Sequence, residues 1–207
     1  MTGNKGETLK RYKKDMEVSY ALGPFTVFEL IYSRPEFVRT VYISENFNDS
    51  KKLEELCREC DIKYVYSSKA LSRISQKEVC YAAAVFDKYE STLDVKANHV
   101  VLVNPSDMGN MGTIIRTSLG FGIKDIAVIS PAADYFNPKT VRASMGSVFK
   151  VNIGVFESYE EYKNDYGEGR DIFPFMLDGG TVLAAENCPV SKRYSLVFGN
   201  EASGLPE

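Results

Sequence analysis

The sequence predicts an α/β protein, with a small mixed α/β domain followed by a layered domain on a parallel sheet. Three observations carry that expectation. Short β-branched and aromatic runs alternate with helical stretches along the second half of the chain, which is the pattern of βα units. Residues 100–103 are continuously apolar, as in a strand covered on both faces. Two polar, glycine-containing turns, at 104–112 and 199–204, follow strands of this kind, and open α/β sheets place ligands beyond the carboxyl ends of such strands.

Taken in order, residues 1–17 form a basic tail. Over 1–14, Lys5, Lys10, Arg11, Lys13 and Lys14 face only Glu7, and the segment reads as too polar to pack. The small domain, 18–87, has helical spacing over 24–32 and 51–60 and strand patterns over 38–43, 63–66 and 82–86. Residues 88–98 are polar and aperiodic and read as a linker. The second domain, 99–207, carries strands at 100–103, 126–129, 151–155, 173–177 and 196–198. Helices near 110–121, 138–145 and 159–166 alternate with them.

The first turn is the richer of the two. Met111, Ile114, Ile115, Ser118 and Leu119 recur at helical spacing after it, and Asn110 stands at the junction as a candidate N-cap. Gly109 and Gly112 permit a close backbone approach, while Thr113 and Arg116 fall on the face away from the apolar stripe. This pattern alone serves a structural βα turn as well as a ligand site. The second turn begins where the apolar run Leu196, Val197, Phe198 meets Gly199.

Composition excludes several classes. At 207 residues and 44% hydrophobic content the chain holds one large or two small cores. No apolar run is long enough for a membrane span, and no secretory signal pattern is present, so a cytoplasmic location is expected. The four cysteines fit a reducing compartment, and Cys57 and Cys60 lie inside a predicted helix with no second pair at zinc spacing, so no metal is expected. The single histidine, His99, argues against a Ser-His-Asp arrangement and suits a structural role. No phosphate-loop motif, no G-x-G-x-x-G after the first strand and no G-x-S-x-G elbow occurs. The net charge of −3 disguises a basic stretch over 110–150, where Arg116, Lys124, Lys139, Arg142 and Lys150 oppose only Asp125 and Asp134. The residues near the strand ends suit binding and electrostatic stabilisation better than covalent catalysis.

Three segments carry a resemblance. Residues 107–117, Asp-Met-Gly-Asn-Met-Gly-Thr-Ile-Ile-Arg-Thr, resemble the first signature of the SpoU/TrmH family of SPOUT RNA methyltransferases, D-P-x-N-x-G-x-x-x-R-[ST]. Residues 196–205, Leu-Val-Phe-Gly-Asn-Glu-Ala-Ser-Gly-Leu, are similar to its second, L-V-x-G-x-E-x-x-G-[LMI]. Residues 137–147 resemble the segment between them, where a helix carries R-A-S-x-G-[AS]. Met108 stands where the family usually has proline.

The resemblance implies transfer of a methyl group from S-adenosylmethionine to a ribose 2′-hydroxyl of structured rRNA or tRNA. It also implies a trefoil-knot catalytic domain, a homodimer formed through that domain, and substrate recognition by residues 18–87. Arg116 would be the catalytic arginine facing the hydroxyl, Asn110 would orient it, and Glu201 would brace the site. Gly199, Asn200 and Gly204 would line the cofactor pocket, with Leu177, Asp178 and Gly179 contributing from the preceding strand end. Lys13, Lys14, Lys139 and Arg142 are the candidate RNA contacts. Because a guanidinium stays protonated at ordinary pH, Arg116 suits stabilisation of a developing alkoxide rather than general-base work. The family's third signature, S-L-N-V-[SA]-x-A, does not occur before Glu207. The expectation is therefore a catalytic domain lacking its C-terminal part, either a piece of a longer protein or a degenerate member. An RNA-binding protein of the same family without methyl transfer is the alternative.

Overall fold

The computed structural model describes residues 9–75, 79–176, 179–180, 184 and 192–205. Within them the apolar runs pair into two sheets. The first holds β1 (Val18–Leu22), β2 (Val38–Ile43), β3 (Tyr64–Tyr66) and β4 (Ala82–Asp87) in the order β1-β4-β2-β3. Strand β4 runs antiparallel to β1 and β2, and β2 pairs in parallel with β3. Helices α1 (Pro24–Ser33) and α2 (Ser50–Glu59) bury Val27, Leu30, Ile31, Leu53 and Leu56 against Ala82, Ala84 and Phe86 on one face. On the other face α3 (Ser68–Ile74) packs Leu71 and Ile74 against Ala83 and Val85.

Two of these elements escape the sequence pattern. In β1 the three central residues Ser19, Tyr20 and Ala21 are all buried, so the alternation that marks a half-exposed strand is absent. Ser19 sits in that run because its hydroxyl donates to the carbonyl of Phe136. Helix α3 offers only two buried apolar residues and is held at its start by Ser67, whose side chain accepts from Ala70 N at 3.2 Å.

The second sheet is wholly parallel. It contains β5 (His99–Val103), β6 (Asp125–Ile129), β7 (Asn152–Phe156), β8 (Asp171–Phe175) and β9 (Tyr194–Phe198) in the order β7-β6-β5-β9-β8. Both β5 and β6 are buried along their full length, as continuous apolar runs require. Helix α4 (Met108–Gly120) lays Met111 and Ile115 over Val100, Leu102, Ile126 and Val128, with Val141 of α5 (Pro138–Ala143) in the same cluster. On the opposite face Tyr162 of α6 (Tyr159–Tyr166) packs with Val101, Val103, Ala127 and Val197. The chain grows from β5 outward through β6 to β7, then crosses to build β8 and inserts β9 beside β5. Strand order therefore reverses between β5 and β9, and that reversal opens a crevice at their carboxyl ends.

The two sheets share one apolar core. Phe86 meets Phe136 and Phe149 edge-on, with ring centroids 5.5 and 5.2 Å apart. Gly146 has φ +76°, and a Cβ added there would lie 2.6 Å from the Glu29 Cβ, so α1 docks directly on the turn after α5. The segment expected as a linker is also packed: Tyr89 stacks on Phe37 at 4.5 Å, and Leu93 is buried under the second sheet. The basic tail is corrected likewise over residues 9–17. Leu9, Tyr12 and Met16 pack against the first sheet, the Tyr12 hydroxyl donates to Asp134, and the tail's charges had obscured this apolar spacing.

Candidate active site

The crevice is built from the turns after β5 and β9. Directly after β5, Asn104 adopts φ +50°, a conformation that asparagine tolerates better than most residues. Its Nδ2 donates to Ser130 O at 2.6 Å, which ties the turn to the end of β6. Helix α4 then starts at Met108 with Asp107 as its N-cap, two residues earlier than the Asn110 start expected. Asp107 Oδ1 accepts from Asn110 N at 2.7 Å, so Asn110 is the third residue of the helix and its backbone is the capped group. A carboxylate at this end also meets the positive pole of the helix. Lys139, at the start of α5, places Nζ 3.9 Å from Asp107 Oδ2.

The second turn closes on itself. Asn200 and Gly204 exchange backbone hydrogen bonds at 2.9 Å in each direction. A Cβ on Gly199 would fall 2.2 Å from the Gly204 carbonyl carbon, so glycine is required there for loop closure. Asn200 spends its side chain inside the protein, with Oδ1 accepting from Ala202 N and Ser203 N and Nδ2 donating to Asn104 O at 2.7 Å. Gly204, at φ +70°, has open space where a Cβ would stand. Of the residues expected to line a cofactor pocket here, Gly199 and Asn200 shape the loop and Gly204 faces the opening.

Glu201 joins the two turns. Oε2 accepts from Ser106 N at 3.3 Å and Ser106 Oγ at 3.0 Å, and Oε1 accepts from Asp107 N at 3.5 Å and Asn110 Nδ2 at 3.4 Å. Partial burial alone would raise its pKa, but its own backbone amide, the two Ser106 donors and Asn110 outweigh that and hold the carboxyl below its usual range. The two turns, about ninety residues apart in sequence, thus share one ionised carboxylate. Ser106 and Asp107 are the contacts that sequence reasoning missed. The D-x-x-N spacing of 107–110 was the available signal for the cap.

Arg116 is a further exposed residue of α4, about 9 Å farther along the axis than Asn110 and about a third of a turn round from it. No described residue pairs with its guanidinium, so its charge is available to a ligand beyond the Glu201 cluster. Arg142 sits one turn after Lys139 and lines a small cleft with Leu22, Gly23, Ser75, Val79 and Cys80. Lys13 and Lys14 are exposed, and Lys14 Nζ is 3.5 Å from Ala132 O, on the connection between β6 and α5. Leu177 and Asp178 fall outside the described residues, while Gly179 is exposed beyond β8.

Other chemistry lies elsewhere in the fold. His99 is buried at the amino end of β5, opposite the crevice, with Nε2 donating to Asp94 O and Nδ1 accepting from the Tyr162 hydroxyl, both at 2.9 Å. The Cys57 thiol is pushed up to about 11 by burial, which makes it unreactive. Among the described residues no group of three or more His, Cys, Asp or Glu could hold a metal ion, and no helix is long and apolar enough to cross a membrane.

Among the described residues the crevice thus offers a helix amino terminus, a braced carboxylate and a glycine opening, with Arg116 farther along α4 and no nucleophile–base pair. Such a set binds, orients and stabilises charge. Comparison with known proteins points the same way. The SpoU rRNA Methylase family profile matches residues 97–207. The 23S rRNA (guanosine(2553)-2′-O)-methyltransferase RlmP of Bacillus subtilis is 31% identical over 145 residues, which are 69% of this chain and 57% of that protein. The 23S rRNA (uridine(2479)-2′-O)-methyltransferase of Streptomyces viridochromogenes is 40% identical over 113 residues, 51% of this chain and 38% of that protein. This chain therefore spans roughly half the length of these two relatives. The AdoMet-bound rRNA methyltransferase of Sinorhizobium meliloti superposes with a TM-score of 0.74 over 92% of this chain and 73% of its own. At 23% identity that likeness speaks for the fold.

Proposed function

Because this chain belongs to the SpoU rRNA Methylase family, we propose that it transfers a methyl group from S-adenosylmethionine to a ribose 2′-hydroxyl of RNA, with ribosomal RNA as the substrate. The observation that carries this is the single carboxylate of Glu201 shared by the turns after β5 and β9, the two segments that bear the family's signatures. Methyl transfer to a hydroxyl asks for alignment and for a positive charge beside the oxygen, and Asn110 and Arg116 of α4 are groups of these two kinds. When bound, the cofactor supplies the electrophilic methyl group. The open side of Gly204, with Gly179 beyond β8, would hold it. Asn110, fixed by its bond to Glu201, would orient the ribose, and Arg116 would stabilise the alkoxide as the proton leaves.

Lys139 beside Asp107 and Arg142 beyond it give the RNA phosphates two positive charges next to the crevice, and Lys13 and Lys14 add charge on the packed tail. The preference for ribosomal RNA follows the two 23S rRNA enzymes named above. Pairing with a second copy through the second domain belongs to this reading, and the free thiols of Cys57 and Cys60 agree with a cytoplasmic setting.

The test is Arg116→Ala, assayed for methyl transfer to ribosomal RNA with labelled cofactor and for cofactor affinity by calorimetry. Transfer is lost and cofactor affinity is kept. Equal loss of both would reject the role given to Arg116. A wild-type protein that binds RNA but transfers no methyl group would favour the non-catalytic RNA-binding alternative.

A further inference from the structure

One rim of the small sheet carries exposed aromatic side chains that the candidate active site does not use. Strands β1, β2 and β3 leave the sheet at the rim where β4 enters it. There Gly23 N donates to Ala82 O at 2.9 Å and Ser44 N to Tyr81 O at 2.8 Å, which sets Tyr81 between the exits of β1 and β2. Tyr81 is 44% exposed, Phe25 54% and Val79 79%. The Phe47 ring lies nearly parallel to Tyr81, at 6.4 Å and 23°. Large apolar side chains grouped in this way on a surface mark a contact site.

The kind of partner follows from what lies next to the rim. Val79 and Gly23 border the cleft that contains Arg142. Arg142 is one helical turn from Lys139, and Lys139 is 3.9 Å from Asp107 at the mouth of the crevice. A path therefore runs from the crevice across two cations to a row of aromatic faces. Positive charge beside stacking platforms is the surface that holds an unpaired nucleotide strand, since phosphates meet the cations and each base offers a π-face. A duplex keeps its base faces stacked inside and has none to offer.

We propose that the rim formed by Phe25 and Tyr81 stacks unpaired bases of the RNA strand that carries the target ribose, with Lys139 and Arg142 holding the phosphates between rim and crevice. This rests on the RNA methyltransferase reading above, and it specifies the substrate as an RNA whose target is flanked by unpaired nucleotides.

The experiment measures binding by the whole chain to a labelled unpaired oligoribonucleotide and to a hairpin of the same composition, by fluorescence anisotropy over a salt series. Wild type prefers the unpaired RNA. Phe25→Ser and Tyr81→Ser, both at exposed positions, each weaken that binding by about tenfold with the salt slope unchanged, and Tyr81→Phe restores it. Lys139→Gln instead reduces the salt slope by about one. Rim variants that bind unpaired RNA as tightly as wild type, while Lys139→Gln weakens it, overturn the rim and leave the RNA reading intact. The same is true if the rim variants change only the oligomeric state seen in sedimentation, which would make the rim a protein interface. A wild-type chain that binds neither RNA overturns both proposals.

Discussion

At Gly112 the backbone of α4 lies close against α5, and replacing this glycine with alanine tests whether that contact positions the site. A Cβ on Gly112 would lie 2.6 Å from both Ala143 Cβ and Thr140 O and 2.8 Å from Ser144 N. Ordinary contact begins near 3.4 Å, so the helices must part by about 0.8 Å. Two of the three atoms are backbone, and no side-chain rotation relieves them. Overpacking of this kind costs about 1–3 kcal/mol. Alanine in a helix interior returns about 1 kcal/mol relative to glycine. The expected net loss is about 0–2 kcal/mol, or a melting temperature lower than wild type by up to about 8 °C for a chain of this size. Gly120→Ala, with nothing within 4 Å of its added Cβ, is the control and should melt at or slightly above the wild-type temperature. Differential scanning calorimetry on the three proteins decides the matter. Gly112→Ala melting level with Gly120→Ala would refute the close helix contact and the argument that α5 fixes the placement of α4.

Two further outcomes follow from charge. The Glu201 carboxyl is depressed below the ordinary carboxyl value of 4.5, so its bridging contribution is complete above that value and is lost as pH falls through the lower folded-state pKa. Glu201→Gln removes the charge at every pH and should speed amide exchange at Ser106 and Asp107 about three- to tenfold near neutrality, and unchanged exchange there would show that the carboxylate does not hold the turns together. His99 is pushed below the ordinary imidazole value of 6.5, first by burial and then by the Arg170 charge, so its contribution to stability is present above 6.5 and declines as pH falls from there toward the folded-state pKa. Urea unfolding across pH 5–8 should therefore show stability falling with acidification, a slope that His99→Gln flattens; an equal slope in the variant would remove His99 as its source.

The division between sequence and structure can be seen in particular residues. The runs at 100–103 and 126–129 were legible because a strand buried on both faces must be apolar throughout. Asn110 was legible as a residue near the start of α4, yet not as the capped rather than the capping group. Asp107 and Asn110 are both good caps, and only the extended backbone at Asp107 decides between them. The tail failed for a different reason: its lysines dominate the composition, while Leu9, Tyr12 and Met16 find apolar cover on a sheet formed later in the chain.

The sequence by itself determined the parallel α/β architecture and the family, because strand burial, helix periodicity and signature spacing are local properties that each segment carries alone. Tertiary structure decided what the signature residues touch. Glu201 reaches Ser106, Asp107 and Asn110 only because β9 inserts beside β5, and the contacts join residues more than ninety positions apart. It also decided that Asn200 holds the loop to Asn104, that Gly199 admits the returning Gly204 backbone, and that Arg116 stands apart along the helix. Each of these depends on strand order and on the approach of two backbones, and neither is a property of one segment's side chains.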